Sequence, residues 1–165
     1  MSRLSLATLL LITTFLTACQ SKYGDEMPAD FSFKIESVDG SSSYDSSTGQ
    51  FILKYLAGDS LVYAPLTMET KRAIYQEFCK ADFMRFPDEF LCNPLEEMTL
   101  PSFPTLLTIN YHGESKKVYG PDKCGCIFYQ WFKFKRFEEL TDLIRSRIYG
   151  QDVIQKMRPS DIMYE

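Results

Sequence analysis

The sequence predicts a small α+β domain in which an antiparallel sheet of about five strands packs against two helices. The chain has 165 residues, room for one domain, and its 45% hydrophobic content is enough for a core. Short runs of alternating apolar and polar residues are typical of half-buried strands, and two longer segments have the apolar spacing of amphipathic helices. Hairpin-linked strands with helices between them favour the order βββ-α-ββ-α and an antiparallel sheet.

The first three strands are expected close together in the chain. Residues 31–36 alternate between apolar and polar side chains, which indicates a half-buried strand. Residues 39–49 are rich in Ser, Asp and Gly and are predicted to form a loop or a wide hairpin. A second strand is expected over residues 50–56 and a third over residues 60–64.

The first helix is predicted over residues 68–81. Thr67 is a suitable N-cap, and the acidic Glu69 falls in the first turn, where it complements the helix dipole. A long irregular connection is expected over residues 86–104, which contain four prolines. The buried face of the helix is expected to include Ile74, Phe78 and Ala81.

The clearest hairpin signal lies between residues 106–111 and 116–119, which flank the turn His112-Gly113-Glu114-Ser115. A second helix is predicted over residues 129–149, and Gly150 is expected to end it in a left-handed conformation. Its apolar stripe recurs every three or four residues and consists of Phe134, Phe137, Leu140, Ile144 and Ile148.

The N-terminus has the character of a cleaved export signal. Arg3 gives a short positive region, and residues 4–16 form a 13-residue apolar region, shorter than the about 20 residues that span a bilayer. The next four residues, Leu16-Thr17-Ala18-Cys19, resemble the lipobox of bacterial lipoproteins. An ordinary secretory signal followed by a chance cysteine is the alternative interpretation.

The resemblance to bacterial lipoproteins implies how the chain is processed. A diacylglycerol group joins the Cys19 thiol, a type II signal peptidase cuts after Ala18, and the new amine is often acylated, palmitate being one such chain. The implied partner is therefore a membrane of the bacterial cell envelope, held through lipid on Cys19. Gln20, rather than Asp, is compatible with the outer membrane if the source is Gram-negative.

These features divide the chain into three parts. Residues 1–18 are expected to be the lipoprotein signal peptide, residues 19–30 a lipidated tether, and residues 31–165 a single α+β domain. The eleven residues 20–30 would reach at most about 36–40 Å when extended. Three segments of the domain also resemble small uncharacterised envelope lipoproteins, which implies anchoring and fold but no activity: Tyr44–Gly49, Asn110–Val118 and Phe134–Ile144.

Four cysteines follow the anchor: Cys79, Cys92, Cys124 and Cys126. An even number in an exported chain favours disulfides. Pairing between the first two and the last two is preferred, because a ring closed between Cys124 and Cys126 is strained. Reduced, buried thiols are one alternative. A four-cysteine zinc site is another, although the spacing lacks the usual knuckles.

No catalytic motif dominates the sequence. The net charge of −4 does not favour nucleic-acid binding, and a single histidine leaves no scope for a multi-histidine metal site. We therefore expect a non-catalytic binding or structural module, with no cofactor and no metal, and with an envelope protein as a further candidate partner. The alternative is a thiol–disulfide oxidoreductase that uses Cys124 and Cys126, whose thiolates Lys123 would help to stabilise.

One segment is a candidate contact surface. Residues 129–137 combine five aromatic side chains with three positive charges. In one interpretation, the proline-rich connection folds over Trp131 and Phe132. In the other, these two rings are exposed, with Lys133, Lys135 and Arg136 at the rim, a composition that suits a protein partner or the lipid headgroup region.

Overall fold

The computed structural model describes residues 23, 24, 26–91, 104–121 and 128–161. Six strands form one antiparallel sheet in the order β4-β3-β2-β1-β5-β6, and the helices pack on one of its faces. The predicted α+β class is confirmed. The elements are β1 (Ser32–Ser37), β2 (Ser42–Asp45), β3 (Gln50–Leu53), β4 (Ser60–Tyr63), α1 (Met68–Ala81), β5 (Thr105–Tyr111), β6 (Glu114–Gly120), α2 (Trp131–Tyr149) and α3 (Asp152–Gln155).

The sequence analysis did not predict strand β2 or the short helix α3. Strand β2 is the larger change, because it adds a strand to the sheet. It lies within the segment expected to be a loop and pairs with β1 on one side and β3 on the other. Tyr44 holds it in place, because its ring is 1% exposed and its hydroxyl donates a hydrogen bond of 2.9 Å to the carbonyl of Ala64. The polar residues around it do form turns, as the Asp45 carboxylate accepts a 2.8 Å bond from the amide of Ser47.

The hairpin of β5 and β6 is confirmed, with a tighter turn than expected. Both central residues have positive φ, 50° for His112 and 75° for Gly113. This is the signature of a two-residue type I′ turn, which matches the twist of the flanking strands. Strand β6 therefore begins at Glu114, two residues into the segment that was predicted to be the turn, while β5 ends at Tyr111 as predicted.

Helix α1 has the predicted bounds and the predicted cap. The side chain of Thr67 accepts a 3.2 Å bond from the amide of Thr70, which satisfies one free N–H of the first turn. The helix ends at Asp82, which has a left-handed backbone with φ 53°. Its buried face contains the three expected residues together with Tyr75: Ile74, Tyr75, Phe78 and Ala81.

Helix α2 begins at Trp131, after a 3₁₀ turn over Phe128–Gln130, and all five residues of its predicted stripe are buried. The expected left-handed end at Gly150 is wrong. Its φ is −72°, and its amide donates a 3.0 Å bond to the carbonyl of Ser146, so helical geometry continues into the turn before α3. A Cβ at Gly150 would lie 2.8 Å from that carbonyl. The position therefore favours glycine because it leaves too little space for a side chain.

The N-terminal segment is packed where a tether was expected. Tyr23 is only 5% exposed, and its hydroxyl donates a 2.6 Å hydrogen bond to the carboxylate of Asp82. Its ring lies edge-on to Phe78, with centroids 5.1 Å apart, and the carbonyl of Gly24 accepts a 2.8 Å bond from Tyr75. Tyr23 thus packs against the domain, eight residues before the expected start of the domain.

Candidate functional site

Three large rings are exposed where helix α2 begins. The exposed fractions are 71% for Tyr129, 47% for Trp131 and 72% for Phe132, and the last two rings contact each other with centroids 4.9 Å apart. Single exposed apolar residues are ordinary, but adjacent large rings indicate a contact site. We call these rings, together with Lys133 and Lys135, the aromatic–basic surface.

The charge of this surface is positive, although the chain is negative overall. The Nζ atom of Lys135 lies 5.6 Å from the centroid of the Trp131 ring, within the range of a cation–π contact. Residues 128–137 contain three cations and no carboxylate. Helix α2 has no side-chain N-cap and no acidic residue in its first turn, so the helix dipole adds positive potential.

Buried neighbours fix the orientation of the exposed rings. Phe134, on the same helix, is buried against Phe90, with ring centroids 5.3 Å apart. The ring of Phe137 lies directly on β6, where a Cβ at Gly120 would stand 1.9 Å from it. Because these rings hold one side of the helix against the core, Trp131 is directed outward.

Polar contacts join the start of α2 to the end of α1. Lys133 Nζ donates a 2.9 Å bond to the carbonyl of Arg85, and Arg136 donates a 3.4 Å bond to the carbonyl of Lys80. The guanidinium of Arg85 in turn lies 3.5 Å from the carboxylate of Asp82, the partner of the N-terminal tyrosine. The aromatic–basic surface and Tyr23 therefore share one end of the domain.

Of the predicted site cysteines, the structure describes Cys79. It is a half-buried, free thiol on helix α1, and burial raises its pKa, an effect that a hydrogen bond with Tyr75 opposes. A thiol with a raised pKa is a weak nucleophile at neutral pH. Cys92, Cys124 and Cys126 lie outside the described residues, so the disulfide, zinc and thiol-exchange interpretations stay predictions.

The lipid-attachment site also lies outside the described residues, since these begin at Tyr23. Lipidation of Cys19 therefore stays a prediction. Among the helices that the structure describes, none is both long enough and apolar enough to span a membrane. Within the same parts of the chain, no group of three or more His, Cys, Asp or Glu side chains is arranged to hold a metal ion.

Three buried tyrosines, Tyr23, Tyr44 and Tyr75, donate hydrogen bonds through their hydroxyl groups. Burial raises the pKa of Tyr44 to about 12, and burial is also the largest cause of the raised pKa values of Tyr23 and Tyr75. For Tyr23, the hydrogen bond to Asp82 raises the pKa further. These hydroxyls are neutral donors at physiological pH, which is the form that their carbonyl and carboxylate partners require.

Two clefts on the surface have the size of small-molecule sites. One, of about 430 Å³, lies between the N-terminal segment and α1, and the other, of about 350 Å³, lies beside the loop after β3. Among the residues that the structure describes, no cysteine and no histidine lines either cleft. The first is lined by Glu26, Met27, Met68, Arg72, Tyr75 and Gln76.

Comparison with known proteins gives no relative: no protein-family model, no curated protein and no solved structure significantly matches the chain. The resemblance of Leu16-Thr17-Ala18-Cys19 to a lipobox therefore stands on those residues alone.

Proposed function

We propose that this protein is a lipid-anchored, non-catalytic binding or structural module of the bacterial cell envelope. Acyl chains on Cys19 would hold it to a membrane, and the folded domain would present the aromatic–basic surface for contact. With Gln20 after the anchor, the proposed location in a Gram-negative source is the outer membrane. The observation that carries the proposal is the lipobox, Leu16-Thr17-Ala18-Cys19, behind a 13-residue apolar region.

Physical chemistry explains why the motif needs a cysteine and why lipid on Cys19 would anchor the protein. The thiolate of cysteine is the nucleophile that accepts the lipid, and a hydroxyl in its place is far less reactive. Each buried CH₂ group contributes about 0.8 kcal/mol to membrane binding, and a single chain binds only marginally. Two or three chains on Cys19 would therefore make attachment effectively permanent.

The domain itself suits a role in binding. Among the described residues it presents a cluster of exposed rings with cations beside them, fixed on a helix whose other side is buried. Rigid aromatic residues bind with little loss of side-chain entropy, which is why tryptophan and tyrosine dominate binding hot spots.

The substitution Cys19→Ser tests the anchor. We expect it to abolish incorporation of radiolabelled palmitate and to leave uncleaved precursor, because the peptidase recognises the lipidated form. Cys79→Ser is the matched control, since it removes a thiol from the folded domain and should leave labelling unchanged. Palmitate incorporation into Cys19→Ser at the level of the unmodified protein would refute the proposal.

A further inference from the structure

We propose that the aromatic–basic surface docks on the same phospholipid bilayer that holds Cys19, so that Trp131 and Phe132 lie among anionic headgroups. This inference rests on the proposed lipidation of Cys19 and adds an orientation to it. The domain would lie on the membrane with the start of α2 facing the lipid.

The length of chain between the anchor and the folded domain limits where the domain can lie. Only residues 20–22 separate Cys19 from Tyr23, which is buried and hydrogen-bonded. Four Cα-to-Cα steps span at most about 14 Å. Helix α2, with 19 residues, is about 28 Å long. With Tyr23 packed, the tether is reduced to residues 20–22. It is therefore too short for the domain to turn the end farthest from Tyr23 towards the bilayer.

The aromatic–basic surface lies at the end of the domain that this tether holds. Three contacts lead from the tether to the surface: Tyr23 donates to Asp82, Asp82 pairs with Arg85, and the carbonyl of Arg85 accepts the bond from Lys133. Trp131 is two positions before Lys133 on the same helix. The anchor therefore brings these rings close to the headgroups.

The chemistry of the surface fits lipid better than a protein partner. Tryptophan and tyrosine are enriched at membrane–water interfaces, where their rings meet the headgroups and their N–H and O–H groups stay hydrated. Lysine is depleted in protein–protein interfaces, whereas lysine beside exposed rings is typical of segments that bind anionic lipid. Here Lys133 and Lys135 accompany the rings, with no carboxylate in residues 128–137.

The tether also removes the need for strong binding. A short linker gives an effective concentration of about the millimolar range, so a surface with weak intrinsic affinity for lipid is docked much of the time. Because the lysines supply part of the attraction, docking should weaken as salt is raised. Neutralising both lysines should lower the docking equilibrium about 30-fold, at about 1 kcal/mol for each charge.

The test uses Trp131, the only tryptophan in the chain. The full-length lipidated protein is reconstituted into vesicles of phosphatidylethanolamine and phosphatidylglycerol, with and without brominated acyl chains. We expect the Trp131 emission to shift to shorter wavelength and to be quenched by the brominated lipid. The double substitution Lys133→Gln and Lys135→Gln should reverse most of this quenching while the protein still floats with the vesicles.

A matched control moves the probe to the opposite edge of the sheet. Tyr63 lies on the edge strand β4 and is 67% exposed, whereas α2 begins over the other edge, at β6. In the double variant Trp131→Phe and Tyr63→Trp, the tryptophan should remain unquenched.

Each outcome decides between the hypotheses. Flotation with Trp131 unquenched, or with both probes equally quenched, overturns the docking proposal and leaves the lipid anchor standing. Shielding of Trp131 in native membranes but not in these vesicles indicates a protein partner and also overturns it. A protein that does not float with vesicles refutes the anchor, and the docking proposal falls with it.

Discussion

Substitution of Tyr23 tests whether this residue is packed against the domain as the structure places it. Tyr23→Phe keeps the ring and removes the 2.6 Å hydrogen bond to Asp82. A hydrogen bond to a charged group contributes about 1.5–3 kcal/mol to stability. Because Asp82 is partly exposed and keeps its ion pair with Arg85, we expect the lower part of this range, about 1.5–2 kcal/mol.

Tyr23→Ala removes the ring as well. The ring is 5% exposed and lies 5.1 Å from Phe78 and 5.5 Å from Tyr111, centroid to centroid. Truncation of a buried aromatic side chain costs about 3–5 kcal/mol through lost contacts and the cavity left behind. We expect the free energy of unfolding to fall by about that amount.

Urea unfolding of the chain from residue 20 onward, followed by circular dichroism, measures both losses. Tyr129→Ala is the matched control, because that ring is 71% exposed and its removal should change stability by no more than about 0.5 kcal/mol. If Tyr23→Ala cost no more than this control, the N-terminal segment would not be packed. The eleven-residue tether expected from the sequence would then be correct.

Further predictions concern the packing of α2, the buried tyrosines and the cysteines. Gly120→Ala would place a Cβ 1.9 Å from the Phe137 ring, so urea unfolding should show a loss of about 1–3 kcal/mol. Because burial raises the pKa of Tyr44 to about 12, the contribution of this tyrosine to stability should be constant below about pH 10. Between about pH 10 and pH 12 the unfolded state loses the Tyr44 proton first, so this contribution should fall by up to about 1.4 kcal/mol per pH unit. Tyr44→Phe should remove that share of the alkaline slope, while the shares of Tyr23 and Tyr75, whose pKa values are also raised, remain. In an insulin-reduction assay, Cys124→Ser and Cys126→Ser should match the unmodified protein at the background rate; a faster unmodified protein would favour the oxidoreductase alternative.

The helices and the β5–β6 hairpin were predictable because their signals are local. Thr67 caps α1 through a bond to an amide three residues later, and a stripe spaced at three and four residues defines α2. At the hairpin, Gly113 tolerates the positive φ that the turn requires. Each signal lies within a few residues of the element that it specifies.

The strand β2 and the packed N-terminus were missed because their stabilising contacts are distant in sequence. Four residues with Tyr44 as the single apolar member show no alternation, and that ring is held by Ala64, 20 residues away. Tyr23 stands alone among polar residues, and its partner Asp82 is 59 residues later in the chain. Patterns read over a short window cannot show such pairs.

A left-handed backbone was expected at Gly150, where α2 ends. The structure shows one instead at Asp82, where α1 ends. Asp82 adopts φ 53°, a conformation that costs an ordinary residue about 1–2 kcal/mol and that Asp tolerates better than most. Its carboxylate is bonded to Tyr23 and paired with Arg85, so contacts from two other segments stabilise the strained position. No feature of the local sequence marks Asp82 for this role.

The candidate site was predictable in composition but not in placement. The mixture of rings and lysines is visible in residues 129–137, yet Trp131 is three residues before Phe134 and by spacing alone could have continued the buried stripe. The structure places it outside that stripe, with 47% of its surface exposed. Its proximity to the N-terminus depends on the contacts of Asp82 and Arg85, which no local pattern reveals.

The packing of Tyr23 and the proposed docking of α2 are coupled through the length of the tether. While Tyr23 is packed, four Cα-to-Cα steps separate it from Cys19; if it were released, Phe31 would be the next buried ring, twelve steps from the anchor. Effective concentration falls roughly as the −3/2 power of linker length, so a threefold longer tether weakens docking about fivefold. Tyr23→Ala should therefore reduce Trp131 quenching in vesicles, although it lies outside the aromatic–basic surface. The same hydrogen bond that stabilises the fold would thereby hold the domain in one orientation on the membrane.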